Sequence, residues 1–119
     1  MTRQEEITNK YLNALDNHLA DIVEGRTNDI KEINEIAELL HIQPTHLSNT
    51  IKLATGKSAC YFYEHKIIDI AKSLLENSTK SITDIAYLLT YDPSNFTKFF
   101  KSYVNKTPSQ YRKDSLKNK

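Results

Sequence analysis

Hydrophobic residues recur along this chain at steps of three and four, the spacing that lines up one face of an α-helix. Ile7, Tyr11, Leu12, Leu15, Leu19, Ile22 and Val23 trace such a stripe between Glu5 and Glu24, and Gly25 stands where that helix should end. Shorter stripes follow: Ile33, Ile36, Ala37 and Leu40, then Leu47, Ile51 and Ala54. From Ala59 to Glu76 the chain carries Phe62, Ile67, Ile68, Ala71, Leu74 and Leu75 with no glycine or proline, which predicts one long helix. Ile82, Ile85, Ala86 and Leu89, and then Phe96, Phe100 and Tyr103, complete the series. With two glycines in the whole chain, the glycine-rich turns of an all-β fold are missing. The expected class is all-α.

Part of this pattern is written twice. Residues 31–62 align with 80–111 at a constant offset of 49 without a gap, and nine positions are identical, Pro44/Pro93 and Lys52/Lys101 among them. Two copies are too few for a solenoid, so a duplicated module is expected. In each copy a short helix stops at a link, His41-Ile42-Gln43 or Thr90-Tyr91-Asp92. Proline then takes the first position of a new helix, where its missing N–H costs nothing. Asp92 is a good N-cap for that helix and Gln43 a weak one.

With Leu47, Ile51 and Ala54, or Phe96, Phe100 and Tyr103, turned inward, the opposite faces carry Thr45, Ser48, Asn49 and Lys52, or Ser94, Thr97, Lys98 and Lys101. Two short helices joined by a tight turn, the second presenting small polar and basic side chains, form the helix-turn-helix arrangement that reads DNA. Such side chains hydrogen-bond base edges while cations hold phosphates. A single copy could equally be a plain helical hairpin with a solvated face; the duplication argues against that. The helix between the copies would span about 27 Å, close to the ~34 Å between successive major-groove faces, and reads as a spacer. The stripe of the N-terminal helix is expected to pack on its own domain in preference to forming a dimer seam.

Charge supports the polyanion reading. The net charge is +1, yet residues 1–40 carry −5 and residues 41–119 carry +6, so the duplicated part suits a nucleic acid while the acidic part faces elsewhere. A length of 119 residues, 39% of them hydrophobic, fits one compact domain or two very small subdomains sharing an element, and excludes a two-domain enzyme. Neither a membrane span nor a signal peptide is present, and a cytoplasmic location is expected. Cys60, the one cysteine, is expected to be a buried reduced thiol.

The four histidines, His18, His41, His46 and His65, include no pair at the i,i+4 spacing of a helical zinc site, so neither metal nor cofactor is expected. Tyr11, Tyr103 and Tyr111 read as core and not as platforms for single-stranded bases. No glycine-rich phosphate loop, carboxylate dyad or activated nucleophile occurs, and enzymatic activity is not expected.

The second copy, with IAYLL, DPSNFTKFFK and KTPSQYR, resembles the DNA-binding domain of the AraC/XylS family of bacterial transcription regulators. The first copy is similar more loosely, through IAELLHI, PTHLS and ATGKS, and HKIIDIAKSLL resembles the family's linker helix. The likeness covers roughly residues 30–113 and implies about seven helices, two helix-turn-helix units and binding across adjacent major grooves. Three departures stand out. Thr90-Tyr91 replaces the Gly-Phe usual in the second turn, that turn is one residue shorter than usual, and Asn105 replaces a second customary glycine. Most members also carry a sensor or dimerisation domain, which leaves a stand-alone regulator acting as a monomer or a piece of a longer chain.

The organisation expected is an acidic amphipathic helix over 1–27, a first helix-turn-helix over 28–58, a linker helix over 59–77, a second helix-turn-helix over 78–114 and a disordered tail over 115–119. Candidates for base contact are Thr45, His46, Ser48, Asn49, Ser94, Asn95 and Lys98; for phosphate contact, Lys52, Lys57, Thr97, Lys101, Lys106 and Arg112. The partners expected are double-stranded DNA, bound by a monomer in preference to a dimer, and as a second candidate RNA polymerase. The rival reading is a protein-interaction module on the same scaffold. Neither recognition face holds an arginine, the commonest reader of guanine.

Overall fold

The computed structural model describes residues 1–117, which contain seven helices and no strand: α1 (Arg3–Val23), α2 (Ile33–Leu39), α3 (Pro44–Thr55), α4 (Ala59–Asn77), α5 (Ile82–Leu88), α6 (Pro93–Val104) and α7 (Pro108–Lys117). They form two compact units that divide inside α4, after Lys66.

In the first unit α1 packs against α2 and α3. Thr2 caps α1 by accepting the Glu5 N–H at 3.1 Å, and Glu5 and Glu6 complement the positive end of the helix dipole. At the other end Gly25 takes φ 78°, a conformation that costs glycine nothing. Ile7, Tyr11, Leu15, Leu19 and Ile22 of α1 are buried, as are Ile36, Ala37, Leu47 and Ile51. The seven-residue α2 is too short to persist alone. Burial of Ile36, worth about 1.5–3 kcal/mol for a side chain of that size, helps hold it in place. Three polar anchors complete the unit. The Tyr11 hydroxyl donates to the Ala59 carbonyl at 2.8 Å, the Tyr63 hydroxyl donates to the Lys31 carbonyl at 2.7 Å, and the Lys31 N–H donates to His18 Nε2 at 3.0 Å.

In the second unit α5 packs on α6 and α6 on α7. Ser81 caps α5 through the Asp84 N–H at 3.0 Å. Ile85, Ala86, Leu89, Phe96 and Phe100 form the core together with Ile67, Ile68, Ala71 and Leu75 of α4. Phe100 meets the edge of Tyr111 at 5.5 Å between ring centroids. The third phenylalanine, Phe99, is half-buried and stacks on Tyr91 of the turn at 5.0 Å and 12° between planes. It roofs the link between α5 and α6.

Several expectations need correction. Ala54 is exposed, because every residue from Lys52 to Ser58 stands clear of the packed part of α3. Tyr103 and Tyr111 are half-buried, whereas Tyr11 is fully buried. Cys60 is exposed, one residue along α4 from buried Ala59. Its Sγ lies 3.0 Å from Glu64 Oε1, and this hydrogen bond, with burial and the negative charge, pushes the thiol up to about 11. Of the tail expected to be disordered, residues 115–117 are the last turn of α7; residues 118–119 lie outside the described residues.

Candidate nucleic-acid interface

Both turns are built alike. In the first, the His41 N–H donates to the Glu38 carbonyl at 3.0 Å and the Ile42 N–H to the Ala37 carbonyl at 3.0 Å. In the second, the Thr90 N–H donates to the Tyr87 carbonyl at 3.0 Å and the Tyr91 N–H to the Ala86 carbonyl at 2.8 Å. This double closure satisfies carbonyls that a helix end leaves without partners, and it requires a left-handed residue just past the helix. That residue is His41 at φ 57° and Thr90 at φ 69°. A β-branched residue there is strained by roughly 1–2 kcal/mol, so the rest of the turn imposes the conformation. Thr90 thus occupies the left-handed position without the help of glycine.

Each turn delivers its chain to a capped proline. Gln43, read as a weak cap, accepts the His46 N–H at 2.9 Å, and Asp92 accepts the Asn95 N–H at 3.0 Å. Pro44 and Pro93 occupy the first helical position of α3 and α6. The other ends close on left-handed residues, Gly56 at φ 78° and Asn105 at φ 65°. Asparagine tolerates this region better than most residues.

The base-contact candidates fall on the outer faces of these two helices. Thr45, His46 and Asn49 are exposed on α3, and Ser94, Asn95 and Lys98 on α6, while Ser48 and Thr97 are half-buried at the edge of each face. Leu47, Thr50 and Ile51 point inward from α3, and Phe96 and Phe100 from α6. Polar side chains are therefore gathered at the N-terminal half of each helix, with an exposed lysine, Lys52 or Lys101, further along. Leu53 is also exposed on α3, at 74%.

The cations differ in what already engages them. Lys52 Nζ donates to the Gly56 carbonyl at 3.1 Å, a single exposed bond. Lys57 Nζ lies 5.1 Å from the Tyr61 ring centroid. Lys106 is paired with Asp114 at 2.5 Å. Arg112 is committed to the fold: Nε donates to the Leu75 carbonyl at 3.0 Å and Nη1 to the Lys80 carbonyl at 2.7 Å. Its Nη2 lies 3.5 Å and 3.4 Å from the Leu74 and Ser78 carbonyls. Its guanidinium caps the C-terminus of α4 and ties it to the Lys80 carbonyl ahead of α5, so this candidate for phosphate contact already has a place in the fold.

Sequence reasoning missed this architecture, though a signal for it exists. Tyr63 and Arg112 are 49 positions apart, one step past the end of the aligned repeat, and they bond the carbonyls of Lys31 and Lys80, themselves a repeat pair. The two copies secure the same backbone carbonyl with different donors. His18 was also missed. It is 6% exposed, and burial, with Lys31 adding and Asp21, Asp29 and Glu35 opposing, holds its imidazole below the usual value. Among the described residues no group of three or more His, Cys, Asp or Glu could hold a metal ion, and no helix is long and apolar enough to cross a membrane.

A family model described as a helix-turn-helix domain matches residues 36–114. The Msm operon regulatory protein of Streptococcus mutans is 27% identical over 114 residues, covering 95% of this chain and 41% of that protein. The chain therefore spans less than half the length of that relative. Among solved structures, the C-terminal domain of AraT, a response regulator from Geobacillus stearothermophilus, superposes with a TM-score of 0.79 at 25% identity, covering 95% of this chain and 88% of that one. An AraC-type transcriptional regulator from Chromobacterium violaceum shares the fold at a TM-score of 0.68 and 19% identity, over 83% of this chain and 89% of that one. With the match running through both turn-linked helix pairs and most of the chain's length, this chain belongs to the AraC/XylS family of helix-turn-helix proteins.

Proposed function

We propose that this chain binds double-stranded DNA sequence-specifically and regulates transcription, with α3 and α6 as recognition helices entering two successive major-groove segments. The observation that carries the reading is the matched pair of turns, each setting a capped helix whose exposed N-terminal half is polar: Thr45, His46 and Asn49 in one, Ser94, Asn95 and Lys98 in the other. Asparagine suits the paired donor and acceptor of adenine, the hydroxyls suit several bases, and lysine suits guanine or a phosphate. One chain brings both units to a site by itself, so a monomer suffices. RNA polymerase is the further partner that a DNA-bound regulator addresses, and the work is cytoplasmic.

A second reading, a protein-interaction module on this scaffold, is favoured by the lack of arginine on either recognition face and by the exposure of Leu39 and Leu53 at 58% and 74%. Titration against random genomic DNA fragments, with sequencing of those retained, separates the two. Enrichment of a motif with two elements about one helical turn apart supports the DNA reading. Retention without any enriched motif, or no retention at low salt, favours the protein partner.

A further inference from the structure

Where α6 turns into α7, Asn105, Lys106, Gln110, Lys113, Asp114 and Lys117 line an open cleft of about 340 Å³. Three of these six are lysines, and one carboxylate stands among them. Asp114 Oδ2 lies 2.5 Å from Lys106 Nζ, and Lys106, with Lys117 adding, holds that carboxyl below the usual range. Both partners are roughly half exposed, at 48% and 43%, so water competes for each and the pair adds little to stability. The backbone at this turn is already satisfied: the Thr107 N–H donates to Gln110 Oε1 at 3.1 Å and the Gln110 N–H to Thr107 Oγ1 at 3.2 Å. What the cleft offers a ligand is its lysines. The first copy differs at the same repeat positions, where Lys57 lies against the Tyr61 ring and His65 replaces Asp114. At this position only the second copy has a carboxylate, while in the first copy Glu64 stands in the place of Lys113.

We propose that this cleft is a phosphate site for the DNA backbone and that Asp114 is its internal competitor, occupying on Lys106 the place of a phosphate oxygen and so keeping that lysine from the DNA. The inference rests on the DNA-binding reading. It makes Lys106 a cation whose engagement is held back, so that the second unit releases DNA more readily than its lysine content suggests. A free phosphate would meet the same lysines, and the experiment distinguishes the two sources.

The test measures duplex binding by fluorescence anisotropy from 0.05 to 0.3 M salt, on the operator selected from genomic fragments. It compares the wild type, Asp114→Asn, Lys106→Ala and the double variant. Asp114→Asn should bind up to about eightfold tighter at 0.1 M salt, with a log–log salt slope steeper by ~0.9, the value for one added phosphate contact. Lys106→Ala should change the wild type less than about twofold yet abolish the gain in the Asp114→Asn background, the non-additivity expected of groups in contact. Melting curves check that all four proteins are folded. If the wild type binds duplex DNA and Asp114→Asn shares its affinity and slope, the proposal is overturned while the DNA reading stands. If no variant binds any duplex, the DNA reading falls and the inference with it. Submillimolar binding of inorganic pyrophosphate, read from the Lys106 and Asp114 amide resonances, would assign the cleft to a free ligand and also overturn the proposal.

Discussion

His18 and Lys31 are joined across thirteen residues: the imidazole Nε2 accepts the Lys31 main-chain N–H at 3.0 Å. The carbonyl of Lys31 accepts the Tyr63 hydroxyl at 2.7 Å. One residue is therefore held at both its backbone groups, immediately before Glu32, the N-cap of α2. The long loop from Gly25 to Glu32 is thereby fixed at its end, and α2 starts in register with α1.

Acid should loosen this clamp. A neutral imidazole accepts through Nε2 and an imidazolium cannot, and burial, with Lys31 adding, lowers the folded imidazole from its ordinary 6.5. The unfolded chain therefore takes up the proton more readily, and stability falls as pH falls. The His18 contribution should be complete above about pH 6.5 and be lost below it, down to the folded value. His18→Gln, which can still accept the bond, should flatten that part of the stability–pH curve. The check is denaturant midpoints from pH 7.5 to 5 together with NMR titration of His18; a titration midpoint at or above 6.5 refutes the clamp.

Thr90 should be replaceable to advantage. At φ 69° it pays a steric cost that glycine avoids. Thr90→Gly should raise stability by about 0.5–1 kcal/mol once the added freedom of the unfolded chain is subtracted. Gly56→Ala, at φ 78° with nothing within 4 Å of the new Cβ, should lower it by about 1 kcal/mol through backbone strain alone. Urea unfolding measures both, and a Thr90→Gly protein less stable than the wild type counts against the strain.

Arg112 should behave as a structural residue. Its charged donors hold carbonyls at the end of α4 and before α5. Arg112→Ala should destabilise by about 1.5–3 kcal/mol, the range for bonds from a charged group. Lysine, lacking the fork, should recover only part of this. The salt slope of DNA binding should stay unchanged. A slope smaller by ~0.9 with an unaltered melting temperature would place the guanidinium on a phosphate instead.

The two recognition helices should contribute unequally. Lys98 on α6 occupies the repeat position of Asn49 on α3. Lys98→Ala should weaken binding to all sequences, whereas Asn49→Ala should relax preference at one or two base pairs. With Lys106 paired and Arg112 committed to the fold, Lys52, Lys57, Lys98 and Lys101 remain, and about four contacts give a salt slope near −3 to −4. Moving the half-sites apart by about five base pairs turns one of them to the wrong face of the duplex. Affinity and slope should fall together.

Helix positions were legible in the sequence because they depend on neighbours three and four residues away: the stripes of Leu15 and Leu19, the prolines at 44 and 93, the cap at Asp92. The outward face of each recognition helix was legible for the same reason, since burying Leu47 with Ile51, or Phe96 with Phe100, leaves Asn49 or Lys98 outside. What the tertiary structure decided was which groups meet across long stretches of chain and where packing stops. His18 finds Lys31, Arg112 finds the end of α4, and Lys106 finds Asp114. Ala54 lies outside because the packed part of α3 ends short of it, and Cys60 because it stands on the outer side of α4 between buried Ala59 and Tyr63, although residue type alone favours burial of both. Periodicity records which side of a helix is apolar. It carries no record of how far the neighbouring surface extends or of which distant donor reaches a given carbonyl, because both are settled only when the helices come together.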